Sequence, residues 1–124
     1  MYCYQCEQAA KGTGCTSVGV CGKDADTAAL QDLVIYGLKS FSNYAHRTRK
    51  TGMKDSETDV FAVEALFPTL TNVNFDPARL AAILSKLGEM KTRAKAAYEE
   101  ACKTAGQTPE QLNGFSSRGS RPAA

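Results

Sequence analysis

Four of the chain's five cysteines, Cys3, Cys6, Cys15 and Cys21, stand at the spacing Cys-x2-Cys-x8-Cys-x5-Cys at its very start. Thiols packed this densely leave a segment few ways to fold: they pair as disulfides, they pack as small buried side chains, or they bind metal. The stretch MYCYQCEQAAKGTGCTSVGVCGK shows no sustained apolar period and contains Gly12, Gly14, Gly19 and Gly22, so residues 1–23 read as an ordered loop. Two thiolates two residues apart can turn back onto one metal centre. The glycine-rich intervals let the backbone bring in the other two and move N–H groups close to sulfur.

Compartment and spacing choose among the three. The N-terminus lacks a positive segment followed by an apolar one, so no export signal is visible and the expected location is cytoplasmic. In a reducing cytosol clustered thiols are metal ligands more often than disulfides. Four cysteines without a nearby histidine satisfy tetrahedral zinc or an iron–sulfur cluster. Zinc fingers usually pair two Cys-x2-Cys knuckles, whereas this segment has one knuckle followed by wider, uneven gaps. That asymmetry favours a cluster, with a zinc-stabilised structural or interaction module as the alternative. Lys11 and Lys23 are placed to offset part of the negative charge of four thiolates.

The rest of the 124 residues reads as helix. Leu30, Leu33, Val34, Leu38 and Phe41 recur at spacings of three and four and predict a helix over 26–50, capped by Asp24 or Asp26. Arg47, Arg49 and Lys50 suit the negative end of its dipole. Ser56-Glu-Thr-Asp59 has the shape of a capping box and predicts a second helix over 57–70, its apolar face made by Val60, Val63, Leu66 and Phe67. Pro68 is expected to end or kink it. Asp76 as cap and Pro77 at the first helical position open a third helix over 77–104, with Leu80, Ile83, Leu84, Leu87, Ala94, Ala97, Tyr98 and Ala101 on one side and Gly106 as the stop. Three amphipathic helices with short connections predict an all-α fold, an antiparallel three-helix bundle over 24–106 that forms one domain with the cysteine loop. The polar stretch 107–124 reads as a loose tail or a severed linker, anchored only by Leu112 and Phe115.

The cysteine motif, set in Tyr-Cys-Tyr-Gln-Cys-Glu-Gln, Lys-Gly-Thr-Gly-Cys-Thr and Gly-Val-Cys-Gly-Lys, resembles that of the hybrid-cluster (prismane) proteins, the hydroxylamine reductase family, which are similar in fold to carbon monoxide dehydrogenases. The resemblance continues through Leu30-Gln-Asp-Leu-Val-Ile-Tyr-Gly-Leu-Lys39 and Thr69-Leu-Thr-Asn-Val-Asn-Phe-Asp76, covering roughly residues 1–105. It implies that Cys3, Cys6, Cys15 and Cys21 hold a [4Fe-4S] cluster through which electrons enter an oxidoreductase that reduces hydroxylamine or nitric oxide. It further implies a catalytic hybrid iron–sulfur–oxygen cluster held by His, Glu and Cys residues of later domains that have no counterpart in this chain. The expected partners are those remaining domains and a cytosolic reductase or small redox protein as electron donor. On this reading the 124-residue chain alone does not turn over substrate, and it contains no catalytic residue of its own.

The other chemically interesting residues have ordinary explanations. His46, the only histidine, falls at a helix end and suits a surface or capping role. Cys102 lies beside the Tyr98–Ala101 face and reads as a small, partly buried hydrophobe. Tyr2 and Tyr4 flank Cys3 and are expected to keep water from the site. The basic run 47–50 is a solvated helix end, with a docking patch for an acidic donor as the sharper alternative. A net charge of +2 and the lack of a basic stripe argue against nucleic acid, and no apolar run approaches the length of a membrane span.

Overall fold

The fold is known from a computed structural model that describes residues 1–70, 75–110 and 112. Three helices follow the cysteine loop: α1 over Ala25–Lys50, α2 over Ser56–Leu70 and α3 over Pro77–Ala105. Among the described residues there is no strand, only an isolated bridge between Cys3 and Cys15. The connection 71–74 and residues 111 and 113–124, including Phe115, lie outside the described residues.

Local chemistry places the helix ends. The Asp24 carboxylate accepts a hydrogen bond from the Thr27 N–H at 2.7 Å, which makes Asp24 and not Asp26 the cap of α1. The same bond is the main reason its carboxyl sits below the usual range. Asp76 accepts from the Ala78 N–H at 3.0 Å, with Pro77 opening α3, and Gly106 closes that helix in the left-handed region at φ 68°. The capping box at Ser56 is displaced by one residue. Asp55 is the cap of α2: its carboxylate accepts from the N–H groups of Glu57 and Thr58 and, at 2.8 Å, from the Thr58 hydroxyl. Aspartate caps as well as serine, and here it precedes it. Helix α2 also runs two residues past Pro68. The Pro68 carbonyl, in a last turn that has no intrahelical donors, accepts from Nε2 of the buried Gln31 at 3.3 Å.

The helices run up, down and up. The Thr27 hydroxyl donates to the Phe75 carbonyl and the Tyr44 and Tyr98 rings lie 6.1 Å apart, so α1 and α3 are parallel and in contact along their length. Gln31 against Pro68 at one end and Arg49 against Asp59 at the other make α2 antiparallel to α1. Gly37 lets α1 and α3 approach closely. A Cβ at that position would stand 2.4 Å from Leu87 Cδ2. The core is built from Val34, Leu38, Phe41, Ala65, Leu87, Met90 and Ala94, with the Phe61 ring edge-on to Phe41 at 5.8 Å. Met90 belongs to it although the sequence stripe omits it.

Helix α2 turns the other way from the sequence expectation. Thr58, Phe61, Ala62, Ala65 and Thr69 face the bundle, whereas Val60, Val63 and Phe67 are 55%, 68% and 56% exposed and Leu66 is also exposed. Leu33, counted in the α1 stripe, is exposed as well. The reason is that α2 is apolar on two sides, so periodicity alone does not say which side packs. Small residues on the inner side allow the close approach, and ion pairs fix the rotation: Arg93 reaches Asp55 at 3.1 Å and Glu57 at 2.6 Å, and Arg49 pairs with Asp59. Arg47 is also used internally, binding Glu110 at 3.0 Å. The start of the expected loose tail therefore lies on the bundle, held additionally by the Glu110 N–H donating to the Tyr98 hydroxyl at 3.0 Å.

Two consequences are measurable. Phe41→Ala should cost about 3–5 kcal/mol, the usual result of emptying a buried aromatic site, while Val63→Ser should stay within about 0.5 kcal/mol. Urea melts followed by circular dichroism would separate the two, and comparable losses would reverse the assignment of the inner face of α2. Burial opposes ionisation of Asp55, but the Thr58 hydroxyl and the Arg93 guanidinium outweigh it and hold the carboxyl below its ordinary range. Its contribution is therefore complete above the unfolded carboxylate pKa of about 4 and is lost as pH falls through the lower folded value. Asp55→Asn should destabilise the chain at neutral pH, with the difference from wild type shrinking below about pH 4.

Candidate metal centre

The loop is closed by a two-way backbone pair. The Cys3 N–H donates to the Cys15 carbonyl at 2.9 Å, and the Cys15 N–H donates back to Cys3 at 2.7 Å. Residues paired in this way in an antiparallel bridge project their side chains from the same face, so the bridge sends both sulfurs to one side. Cys6 starts a turn in which the Ala9 N–H reaches the Cys6 carbonyl at 3.3 Å. Cys21 sits on a second turn, closed by Gly22 donating to Gly19 at 2.8 Å and Gly19 donating to Lys23 at 2.7 Å. Gly14, at φ 152°, keeps the first turn compact. A Cβ there would meet the Tyr2 ring at 2.4 Å, and the Tyr2 hydroxyl donates to the Thr13 carbonyl at 2.7 Å.

These turns put Cys3, Cys6, Cys15 and Cys21 on the wall of one cavity of about 30 Å³, together with Gln5, Gln8, Ala9, Gly19, Val20, Lys23 and Thr69. Such a volume exceeds what a single water needs. Cys15 is buried, Cys3 is half-buried, and Cys6 and Cys21 open to the surface; none of the five cysteines is disulfide-bonded. Cys102 is buried elsewhere, on the last turns of α3. It stands 25 residues along that helix from Pro77, about 37 Å at 1.5 Å per residue. Because α3 starts beside Thr27, at the cysteine end of the bundle, Cys102 belongs to the opposite end.

The surroundings of Cys15 favour its thiolate. The Ala10 N–H donates to Cys15 Sγ at 3.3 Å. This bond, a second from the Val20 N–H and the Lys23 charge together overcome burial and hold the Cys15 thiol below its usual pKa. The Lys23 ammonium lies 3.6 Å from Cys3 Sγ, and only 6% of the residue is exposed. Lys11, the other lysine expected to offset charge, is exposed on the short turn Ala10–Gly12 and does not line the cavity. Tyr2 and Tyr4 are also outside the lining, at 54% and 70% exposure with their rings 5.4 Å apart, so they stack on the loop's outer side instead of covering the site. His46 is exposed on α1.

Several cavity residues have no assigned role in the sequence reading, Gln5 and Thr69 among them. The Gln5 side-chain oxygen is buried with no hydrogen-bond partner among the described residues, although its place between Cys3 and Cys6 marks it as a neighbour of the site. A buried acceptor left so costs about 1–3 kcal/mol. Thr69 reaches the cavity from the end of α2, a placement with no local sequence signal. Among the described residues no three His, Cys, Asp or Glu side chains form a group tight enough for a single ion. The four thiols share the lining of one cavity.

A family model, Prismane/CO dehydrogenase family, matches residues 1–118. The hydroxylamine reductase of Rhodospirillum rubrum is 49% identical over 114 residues, covering 92% of this chain and 21% of that protein. The hydroxylamine reductase of Geobacter sulfurreducens is 54% identical over 101 residues, with 82% and 18% covered. That of Moorella thermoacetica is 54% identical over 93 residues, with 75% and 22% covered. The chain thus spans about a fifth of the length of the curated relatives it matches. With all but the last few residues inside the family model, the chain belongs to the Prismane/CO dehydrogenase family.

Proposed function

We propose that this chain is the iron–sulfur electron-transfer part of an oxidoreductase of the hydroxylamine reductase kind, with Cys3, Cys6, Cys15 and Cys21 as the ligands of a [4Fe-4S] cluster. The observation that carries the reading is the meeting of all four cysteines, contributed by a bridge and two turns, on one cavity wall. The donor set fits the group: it offers four sulfurs, a backbone N–H aimed at one of them and a buried ammonium beside another. When bound, a [4Fe-4S] cluster supplies one-electron redox chemistry without needing a substrate position. The chain's own contribution is to hold the thiolates, to shield the Cys15 side, and to leave the Cys6 and Cys21 side open to an electron donor.

Beyond the loop this chain offers one histidine and one further cysteine, too few to assemble a second, larger cluster of His, Glu and Cys ligands. Substrate reduction is accordingly assigned to other parts of a longer enzyme, and a cytosolic reductase or small redox protein to the role of donor. The outward apolar residues of α2, Val60, Val63 and Leu66, suit packing against such further parts, because apolar surface of this kind is normally covered. Among the described residues no helix is long and apolar enough to cross a membrane.

Anaerobic reconstitution of the 124-residue chain with iron and sulfide should give brown protein with about four irons per chain that is reduced and reoxidised reversibly. Colourless protein that binds zinc stoichiometrically and takes up no cluster would replace this reading with a zinc-stabilised module. Cys15→Ala should abolish the visible absorption while most of the far-ultraviolet helical signal survives, since the core contains no residue of the loop. The loaded chain should show negligible hydroxylamine consumption with reduced viologen. Sustained turnover would overturn the division of labour.

A further inference from the structure

Lys23 is an unusual residue to bury. Its side chain is long and charged, yet the residue is only 6% exposed, and among the described residues it has no carboxylate partner. An ammonium withdrawn from water needs a compensating negative charge. The contact it makes is to Cys3 Sγ at 3.6 Å. Its backbone is fixed independently: the Gly19 N–H donates to its carbonyl at 2.7 Å, and Asp24, the next residue, caps α1. Among the described residues Lys23 is also the one basic residue in the cavity lining, where the other side chains are sulfur, amide, hydroxyl or aliphatic.

We propose that Lys23 is the positioning residue that sets the charge balance of the four-cysteine site, its ammonium held against Cys3 so that the site accepts an added electron more readily. This inference rests on the proposed iron–sulfur function and goes beyond it, since ligation alone assigns Lys23 no role. Four thiolates make any bound centre anionic, and each added electron makes it more so. A fixed positive charge a few ångströms away, in a partly water-excluded space, stabilises the reduced form more than the oxidised one. The helix cap and the turn at Gly19 hold the lysine in place, so the interaction does not depend on a mobile side chain finding its partner.

The test compares Lys23→Met, which is unbranched, one atom shorter and tolerates burial, with Lys23→Arg, which keeps the charge, in the reconstituted 124-residue chain at neutral pH. Spectroelectrochemical titration should show Lys23→Met shifted toward the oxidised form by about tenfold at a fixed potential, equivalent to about 59 mV for one electron. Lys23→Arg should stay within about twofold of wild type. Failure of Lys23→Met to retain the cluster, with Lys23→Arg loading fully, would support a charge role, because Arg shares with Lys the positive charge that Met lacks. An unchanged potential in Lys23→Met would overturn the inference, as would equal effects in both variants, which would mean that side-chain shape is what matters. If wild type itself takes up no cluster, the proposed function falls first, and the iron content distinguishes that outcome from a failure of the lysine alone.

Discussion

Burial of one stripe of α1, running from Gln31 through Val34 and Leu38 to Phe41, is the interaction on which both halves of this molecule depend. The stripe packs α3 alongside in parallel, with Gly37 admitting Leu87, and receives α2 from the other side through Phe61 and Ala65. The same helix is capped by Asp24, directly after Lys23, so its first turn fixes where the cysteine loop leaves the bundle. Thr69, at the end of α2, comes to the cavity because Gln31 draws the neighbouring Pro68 carbonyl toward α1. The site is thus positioned by helix packing even though its four cysteines all precede α1.

How much of this was legible in the residues depended on whether the signal was local. The helix ends were, to within a residue, because Asp24, Asp76-Pro77 and Gly106 act on the N–H and carbonyl groups next to them. The cysteine set was legible as a unit because its spacing is a covalent fact. The orientation of α2 was not. Valines at 60 and 63 are as apolar as Phe61 and Ala65, and the side that packs is the one where Phe61 meets Phe41 and Ala65 enters the core, with Arg93 and Arg49 pairing across from the other helices. Tyr2 and Tyr4 misled for a related reason. Their alternation with Cys3 placed them near the sulfurs in sequence, but Tyr2 is drawn away by the Thr13 carbonyl and the open face of Gly14. Burial of Lys23 rather than Lys11 likewise follows from which lysine adjoins the start of α1.

The charged residues divide by location in a way that bears on recognition. At the end of the bundle away from the loop, Arg47, Arg49 and Arg93 are all engaged with carboxylates of the same chain. Exposed pairs of this kind contribute about 0–1 kcal/mol each, so their value is in fixing rotation and register more than in stability. Of the basic run at 47–50, Arg47 and Arg49 are paired within the folded chain while Lys50 is exposed. The surface beside Cys6 and Cys21 is the more direct approach to the proposed site.

The loop also differs from the bundle in what can hold it together. Within residues 1–23 the buried positions are Gly14, Cys15, Gly19 and Lys23, and none carries a large apolar side chain. What holds the loop in the fold is polar and local: the Cys3–Cys15 backbone pair, the turns at Cys6 and Gly19 and the Tyr2 hydroxyl. Ordering a backbone costs conformational entropy that hydrophobic burial offsets very little here, whereas the helices stand on their own core. If the cysteines ligate a metal centre as proposed, ligation and loop order are coupled, and the two parts of the chain should come apart separately when the thiols are blocked.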